Sequence, residues 1–197
     1  MTETIELPPP DERGGLPLSQ VLMQRRSLRE FAPLALEWKQ IGQLLWAAQG
    51  MSDRRAGLRT APSAGALYPL EVDAVLPSGV YRYRAASHSL LQRSSEDARA
   101  ALARAALGQS WLARAACVVA ISAVTQRTRR KYGARAVRYV QMEAGHAAQN
   151  LLLTATSLRL AAVPVGAFGD RAIAQALGLA ENEAPLYLIP VGGNAAR

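Results

Sequence analysis

Lys131-Tyr132-Gly133 runs directly into ARAVRYVQMEAGHAAQN (134–150), and the reading of this stretch decides the fold. Apolar or small residues recur at 137, 140, 144, 147, 148, 151, 152, 155 and 158, a helical spacing that predicts the longest helix of the chain from Ala134 to about Leu158. Ala144, Gly145, Ala147 and Ala148 keep its middle slim, so a second helix can approach closely, as a central or dimer-forming helix requires. A titratable Lys-Tyr pair stands at its head. The chain has two lysines, Lys39 and Lys131, against twenty-one arginines, and arginine supplies charge without exchanging a proton near neutrality.

Working outward, 197 residues of which half are hydrophobic suffice for one ordinary domain. We read residues 1–15, MTETIELPPPDERGG, as a flexible leader and 16–197 as a single domain. The leader lacks the basic-then-apolar layout of a signal peptide, and no apolar run nears the roughly 18 residues that span a bilayer, so a cytoplasmic protein with no membrane partner is expected. Cys117 lies in the strand-like ACVVAISAV, which makes it a packing residue. The net charge of +8 is spread over scattered arginines, with only RTRRK (127–131) dense and no interleaved aromatics, a pattern that speaks against nucleic acid. A phosphate-bearing cofactor explains the arginines better.

PLSQVLMQRR and EWKQIGQLLWAAQG read as helices, the second with Ile41, Leu44, Leu45 and Ala48 on one face and its end at Gly50. MSDRRAGLRTAPSAGALYP (51–69) reads as a functional loop. LEVDAVL, GVYRYR and SLLQRS then form an antiparallel meander, with His88 on solvent in the last turn. SSEDARAALARAALG reads as a helix capped by Ser94 or Ser95. ACVVAISAV and AVPVGAF read as strands, DRAIAQALGL as a helix capped by Asp170, and PLYLIPVG as the final strand. Together these give an α+β domain whose mixed sheet is flanked by helices.

RRSLREF (25–31) clusters three arginines and a hydroxyl, and forked guanidinium groups suit phosphate. Pro62-Ser63-Ala64-Gly65-Ala66 has little side chain to keep a flat or phosphorylated ligand away. Glu143 and His146, at i and i+3, lack further metal-ligand neighbours, so they read as structural and no metal is expected. GxGxxG, GxxxxGK[ST] and GxSxG are all missing, which removes the common dinucleotide, Walker and hydrolase readings.

In combination, RRSLREF, PSAGALYPLEV, GVYRYR, KYGARAVRYVQMEAGHAAQNLLL, VGAF and PLYLIPVG stand in the order of the nitroreductase-like FMN superfamily. They resemble most its SagB-type dehydrogenase, or azoline oxidase-like, branch, from about Leu16 onward. The resemblance implies a homodimer with the long central helix at its interface, FMN as cofactor, and a small-molecule or modified-peptide substrate. By position, Arg25, Arg26, Ser27 and Arg29 look like the residues on the FMN phosphate, ribityl chain and pyrimidine edge. Pro62, Ser63, Ala64 and Gly65 resemble the loop that meets the flavin from the other subunit. Gly166 and Ala167 resemble the backbone beside flavin N5, and Arg197 a second phosphate ligand. Lys131 and Tyr132 look like the catalytic pair that takes a proton while hydride passes to FMN. A lysine at about 10.4 in water needs desolvation or cationic neighbours for that work. Ala66 departs from ordinary nitroreductases, which often carry a polar flavin contact there. A nitroreductase or quinone reductase driven by NAD(P)H, and a non-catalytic flavin-binding scaffold of a peptide-modifying complex, are the alternatives.

Overall fold

The computed structural model describes residues 3–195. Alternation of apolar and polar residues builds the sheet first. β5 (Leu70–Leu76) turns back through β6 (Gly79–Arg84) to β7 (Ser89–Ser94), and β8 (Cys117–Ala123) returns along the other edge of β5. The remaining strands are β1 (Thr4–Glu6), β2 (Phe31–Ala32), a small hairpin of β3 (Met51–Asp53) with β4 (Leu58–Arg59), β9 (Leu160–Ala162) and β10 (Ala184–Asn194). The main sheet has eight strands, in the order β1-β7-β6-β5-β8-β10-β2 with β9 also on β10. Every pairing between these strands is antiparallel, so the helix-flanked α+β architecture holds while the expected mixed strand directions do not. The reason lies in β8 and β10, which lie side by side and run oppositely although helices and β9 separate them in sequence.

Both faces are covered. Val72, Ala74, Val119, Ile121 and Ile189 pack on Leu44, Leu45, Ala48, Ala144, Ala147, Ala148 and Leu151 from α2 (Trp38–Gln49) and α5 (Ala136–Ser157). The helix α1 (Leu18–Gln24) also packs against α5. On the other face Val75, Val118 and Leu188 meet α3 (Arg99–Ala105) and α6 (Asp170–Leu177). A Glu37–Gln40 capping box starts α2, and Gly50 stops it where a Cβ would sit 2.2 Å from Trp46 Cδ1. Cys117 is buried, its thiol pushed up to about 12 by burial, which suits an inert packing residue.

One end of the second face is polar. Asp73, which alternates with Val72 and Ala74, is fully buried and takes two bonds from Arg82, Nε to Oδ1 at 2.7 Å and Nη2 to Oδ2 at 2.9 Å. Arg82 also reaches Glu183 at 2.7 Å and Glu71 at 3.0 Å, and the Ser122 hydroxyl donates to Glu183. Burial pushes the Asp73 carboxyl up, against the pull of Arg82.

Several local expectations change. The long helix is broken at its head: α4 (Gln126–Tyr132) ends with the Lys-Tyr pair, Gly133 turns the chain at φ 53°, and a 3-10 turn leads into α5. The expected loop contains the β3-β4 hairpin. Ser94 and Ser95 do not cap α3, which begins at Arg99 after Asp97 has accepted its amide. In AVPVGAF only the first residue, Ala162, lies in β9, with Val165 forming an isolated bridge to Leu188. Gly169, rather than Asp170, precedes α6. Residues 3–15 of the expected flexible leader are laid along the sheet. Ile5 pairs with Leu90, Leu7 is buried, and Asp11 and Gln43 exchange hydrogen bonds.

His88 is likewise buried, because the leader covers it. Its Nδ1 lies 2.9 Å from Tyr83 Oη and its Nε2 2.9 Å from the Pro8 carbonyl. The neutral ring satisfies both if Nε2 donates to Pro8 and Tyr83 donates to Nδ1. Burial holds its pKa below the usual 6.5, so the unfolded chain binds the proton more readily and stability is lost as pH falls below about 6.5. His88→Asn tolerates the left-handed φ of 51°. In urea titrations this variant is expected to lose about 2 kcal/mol at pH 8 and to show a shallower fall between pH 7 and 5 than the wild type.

Candidate active site

The expected site residues fall into two groups. In the first, the Pro62–Gly65 loop lies on the Lys131-Tyr132 pair. Gly65 adopts φ 63°, and a Cβ there would stand 2.8 Å from Tyr132 Oη and 3.0 Å from Lys131 Nζ. Only glycine fits both the backbone angle and that approach. Tyr132 is fixed by an edge-to-face contact with Tyr139, centroids 5.1 Å apart, and Lys131 Nζ lies 5.5 Å from the Tyr132 ring centre. Arg127, in the first turn of α4, reaches the Tyr68 carbonyl at 3.2 Å and pairs with Glu71, tying α4 to the loop and to β5.

The second group gathers at the far side of β9. Leu28 N donates to the Ala162 carbonyl at 3.1 Å, which runs RRSLR alongside β9. Arg25 caps α1 through its backbone, and its guanidinium and the Ser27 hydroxyl have no protein partner among the described residues. Arg29 lies 5.7 Å over the Trp111 ring. Gln109, two residues before Trp111, donates to the Ala167 carbonyl at 3.3 Å. Gly166 and Ala167 are exposed, and their amides carry no hydrogen bond among the described residues. Arg26 Nη1 is bound to the Met23 and Arg25 carbonyls at 2.9 and 2.7 Å, which helps close α1. Arg197 lies outside the described residues.

No hydrogen bond or ring contact joins one group to the other among the described residues. A recess of about 410 Å³ walled by Leu34, Trp38, Ile41, Pro77 and Arg114 contains none of the expected residues. The single chain carries them as two separate clusters. Their chemistry fits a flavin nucleotide: a small-residue backbone platform, two free amides beside Gly166, where a Cβ would have no neighbour closer than 4.0 Å, and guanidinium and hydroxyl groups for a phosphate. Among the described residues no cluster of three metal-ligand side chains occurs, and no helix is long and apolar enough to cross a membrane.

Sequence motifs missed a polar layer beneath the loop. Arg59 lies 4.7 Å over the Tyr68 ring and donates through Nη1 to Gln49, which donates to the buried Glu143. Arg59 and Gln49 carry no motif, while Tyr68 and Glu143 stand inside stretches singled out for other reasons.

An antiparallel sheet between two helical layers, with a basic turn beside β9 and a small-residue loop leading into β5, defines an α+β fold. The chain belongs to the nitroreductase family, whose model matches residues 22–193. A protein of Methanocaldococcus jannaschii provisionally named a nitroreductase is 44% identical over 198 residues, covering 98% of each chain. The crystal structure of a provisionally named nitroreductase of Ralstonia eutropha JMP134 superposes with a TM-score of 0.90 at 32% identity, covering 98% of this chain and 90% of that one. A chain of the E. coli microcin synthetase complex, solved with a truncated pro-microcin bound, shares the fold at a TM-score of 0.76 and 24% identity, over 93% of this chain and 75% of its own.

Proposed function

We propose that the protein is a homodimeric, FMN-dependent oxidoreductase of the SagB type that acts on a small heterocyclic or conjugated substrate, with Lys131 and Tyr132 handling the proton. The observation that carries this reading is the seating of the Gly65 backbone directly on that pair, with a Cβ excluded by the Tyr132 oxygen at 2.8 Å. A proton-exchanging amine and a phenol are thereby held beside the platform on which a flat ring can lie.

Dimerisation supplies what one chain lacks. Leu18, Leu22 and Met23 on α1 and Val137 and Met142 on α5 are exposed, an apolar strip on two helices that pack together. Facing strips from two copies bring the Pro62–Gly65 edge of one chain toward the Arg25–Arg29 and Gly166–Ala167 edge of the other. Arg25 and Ser27 would hold the FMN phosphate, Arg29 would offer positive charge to the ring, and the unpaired amides of Gly166 and Ala167 would be its hydrogen-bond donors. When bound, FMN supplies a hydride acceptor or donor. In aromatisation of an azoline the ring loses a hydride from one carbon and a proton from its neighbour, and Lys131 takes that proton with Tyr132 orienting it. Lys131 is exposed in the single chain, so its desolvation comes from the flavin, the substrate and the second copy.

The identity with proteins named as nitroreductases favours a second reading, reduction of nitro compounds or quinones at the expense of NAD(P)H. Anaerobic titration of the FMN-loaded protein separates the two. Bleaching by NADPH followed by rapid reoxidation with a nitroaromatic supports the second reading, and bleaching by a thiazoline with release of the thiazole supports the first. A flavin bleached by neither overturns both.

A further inference from the structure

Glu143 is the single acid of α5, and it is buried at 3% exposure in a chain of net charge +8. Burial pushes its carboxyl up, opposed by hydrogen bonding from Ser63 and Gln49 and by the charge of Arg59. The donors around it all point the same way. Arg59 Nη1 occupies Gln49 Oε1 at 2.9 Å, which turns the Gln49 amide nitrogen to Glu143 Oε1 at 3.3 Å. Arg59 N donates to Tyr68 Oη at 3.1 Å and Tyr68 N to the Ser63 oxygen at 2.9 Å, which carries the layer to the loop and keeps the Ser63 hydroxyl hydrogen off that bond. Two turns further along the same face of α5, Asn150 Nδ2 donates to the Thr60 carbonyl at 3.3 Å.

Resting on the FMN reading above, we propose that Glu143, seconded by Asn150, is a positioning residue that sets Ser63 and the Pro62–Gly65 backbone in the shape against which the flavin ring is laid. The role needs an acceptor facing two donors at once. The Glu143→Gln substitution leaves one acceptor oxygen there, and the new amide nitrogen finds no acceptor, since the Gln49 oxygen belongs to Arg59. The reciprocal exchange of the two side chains restores the pattern. A carboxylate at position 49 takes the bond from Arg59 and one from the amide at position 143, and the amide oxygen there is left for Ser63.

The test is FMN titration, followed by quenching of flavin fluorescence and by the visible band of bound FMN, on wild type, Glu143→Gln, the Gln49→Glu/Glu143→Gln exchange, Ser63→Ala and Ser63→Ala/Glu143→Gln. Glu143→Gln is expected to weaken FMN about tenfold or more, with a shifted visible band, and the exchange to recover most of that loss. In the Ser63→Ala background the same substitution is expected to change affinity little, a coupling that a general packing role would not show. Wild-type affinity in Glu143→Gln, or a folded exchange variant as weak as Glu143→Gln, overturns the inference while leaving the FMN reading standing. A wild-type protein that takes up no FMN overturns both.

Discussion

Lys131→Ala is expected to lower turnover of a thiazoline substrate by about 10²- to 10⁴-fold, the range for removal of a general base, while FMN binds with nearly wild-type affinity. The separation follows from the geometry. Lys131 Nζ lies beside the Gly65 backbone but carries no hydrogen bond that the loop depends on. The loop is held instead by Arg59, Gln49, Glu143 and Asn150. Tyr132→Phe keeps the edge-to-face contact with Tyr139 and loses only the hydroxyl, so its deficit is expected to be smaller. Steady-state kinetics on FMN-loaded wild type and variants provide the measurement. Turnover indifferent to both substitutions, with brisk reduction of nitroaromatics by NADPH, moves the protein to the second reading.

The largest stability effect is expected at Arg82. Arg82→Met leaves Asp73, fully buried, and Glu183, nearly so, without their principal cation; Arg93, 3.6 Å from Asp73, remains as a weaker partner. Breaking a buried ion pair from one side costs about 3–5 kcal/mol, which for a chain of this size lowers the melting temperature by roughly 10 °C. Arg127→Met is the contrast. Its bridge to Glu71 is 41% exposed on the arginine side, and a pair of that kind contributes about 1 kcal/mol or less. The sign with pH is also fixed. A carboxyl raised by burial holds its proton more tightly in the folded state, so its unfavourable contribution grows as pH rises. The Arg82→Met deficit is therefore expected to be larger at pH 8 than at pH 5, read by thermal melts at the two values.

Periodicity made the helices and the meander legible, because Ile41, Leu44, Leu45 and Ala48, or Val72 and Ala74, each bury one face of a regular element. Local chemistry was less reliable wherever a distant segment intervened. The Ala-Ser-His-Ser turn looks solvated, but the Pro8 carbonyl, 80 residues away in sequence, covers His88. The proline-rich leader looks free, but its Ile5 and Leu7 find the uncovered edge of β7 and the core beneath it. The Lys-Tyr pair looks like the head of the long helix, but it ends a separate one, because Gly133 turns the chain between them.

The site was legible as residues and not as an arrangement. PSAG and Lys-Tyr read as separate motifs, and their contact through Gly65 follows from the way β5 and β8 bring Leu70 opposite Ala123, setting the loop before one strand beside the helix after the other. The Arg59–Gln49–Glu143 layer left no signal in the sequence, because its members lie 10 and 94 residues apart. Arg26 shows that a motif position can also serve a helix end, here through two carbonyls of the α1 terminus.

A crystal structure of the protein grown with FMN tests the central claim most directly. The expected result is one flavin per chain at a two-fold interface, its ring against the Pro62–Gly65 backbone of one protomer and the Gly166–Ala167 amides of its partner, with the phosphate on Arg25 and Ser27 and Lys131 within reach of the ring. A flavin bound instead in the recess beside Trp38 and Arg114, or a ring lying away from both the Gly65 loop and Lys131, would contradict it.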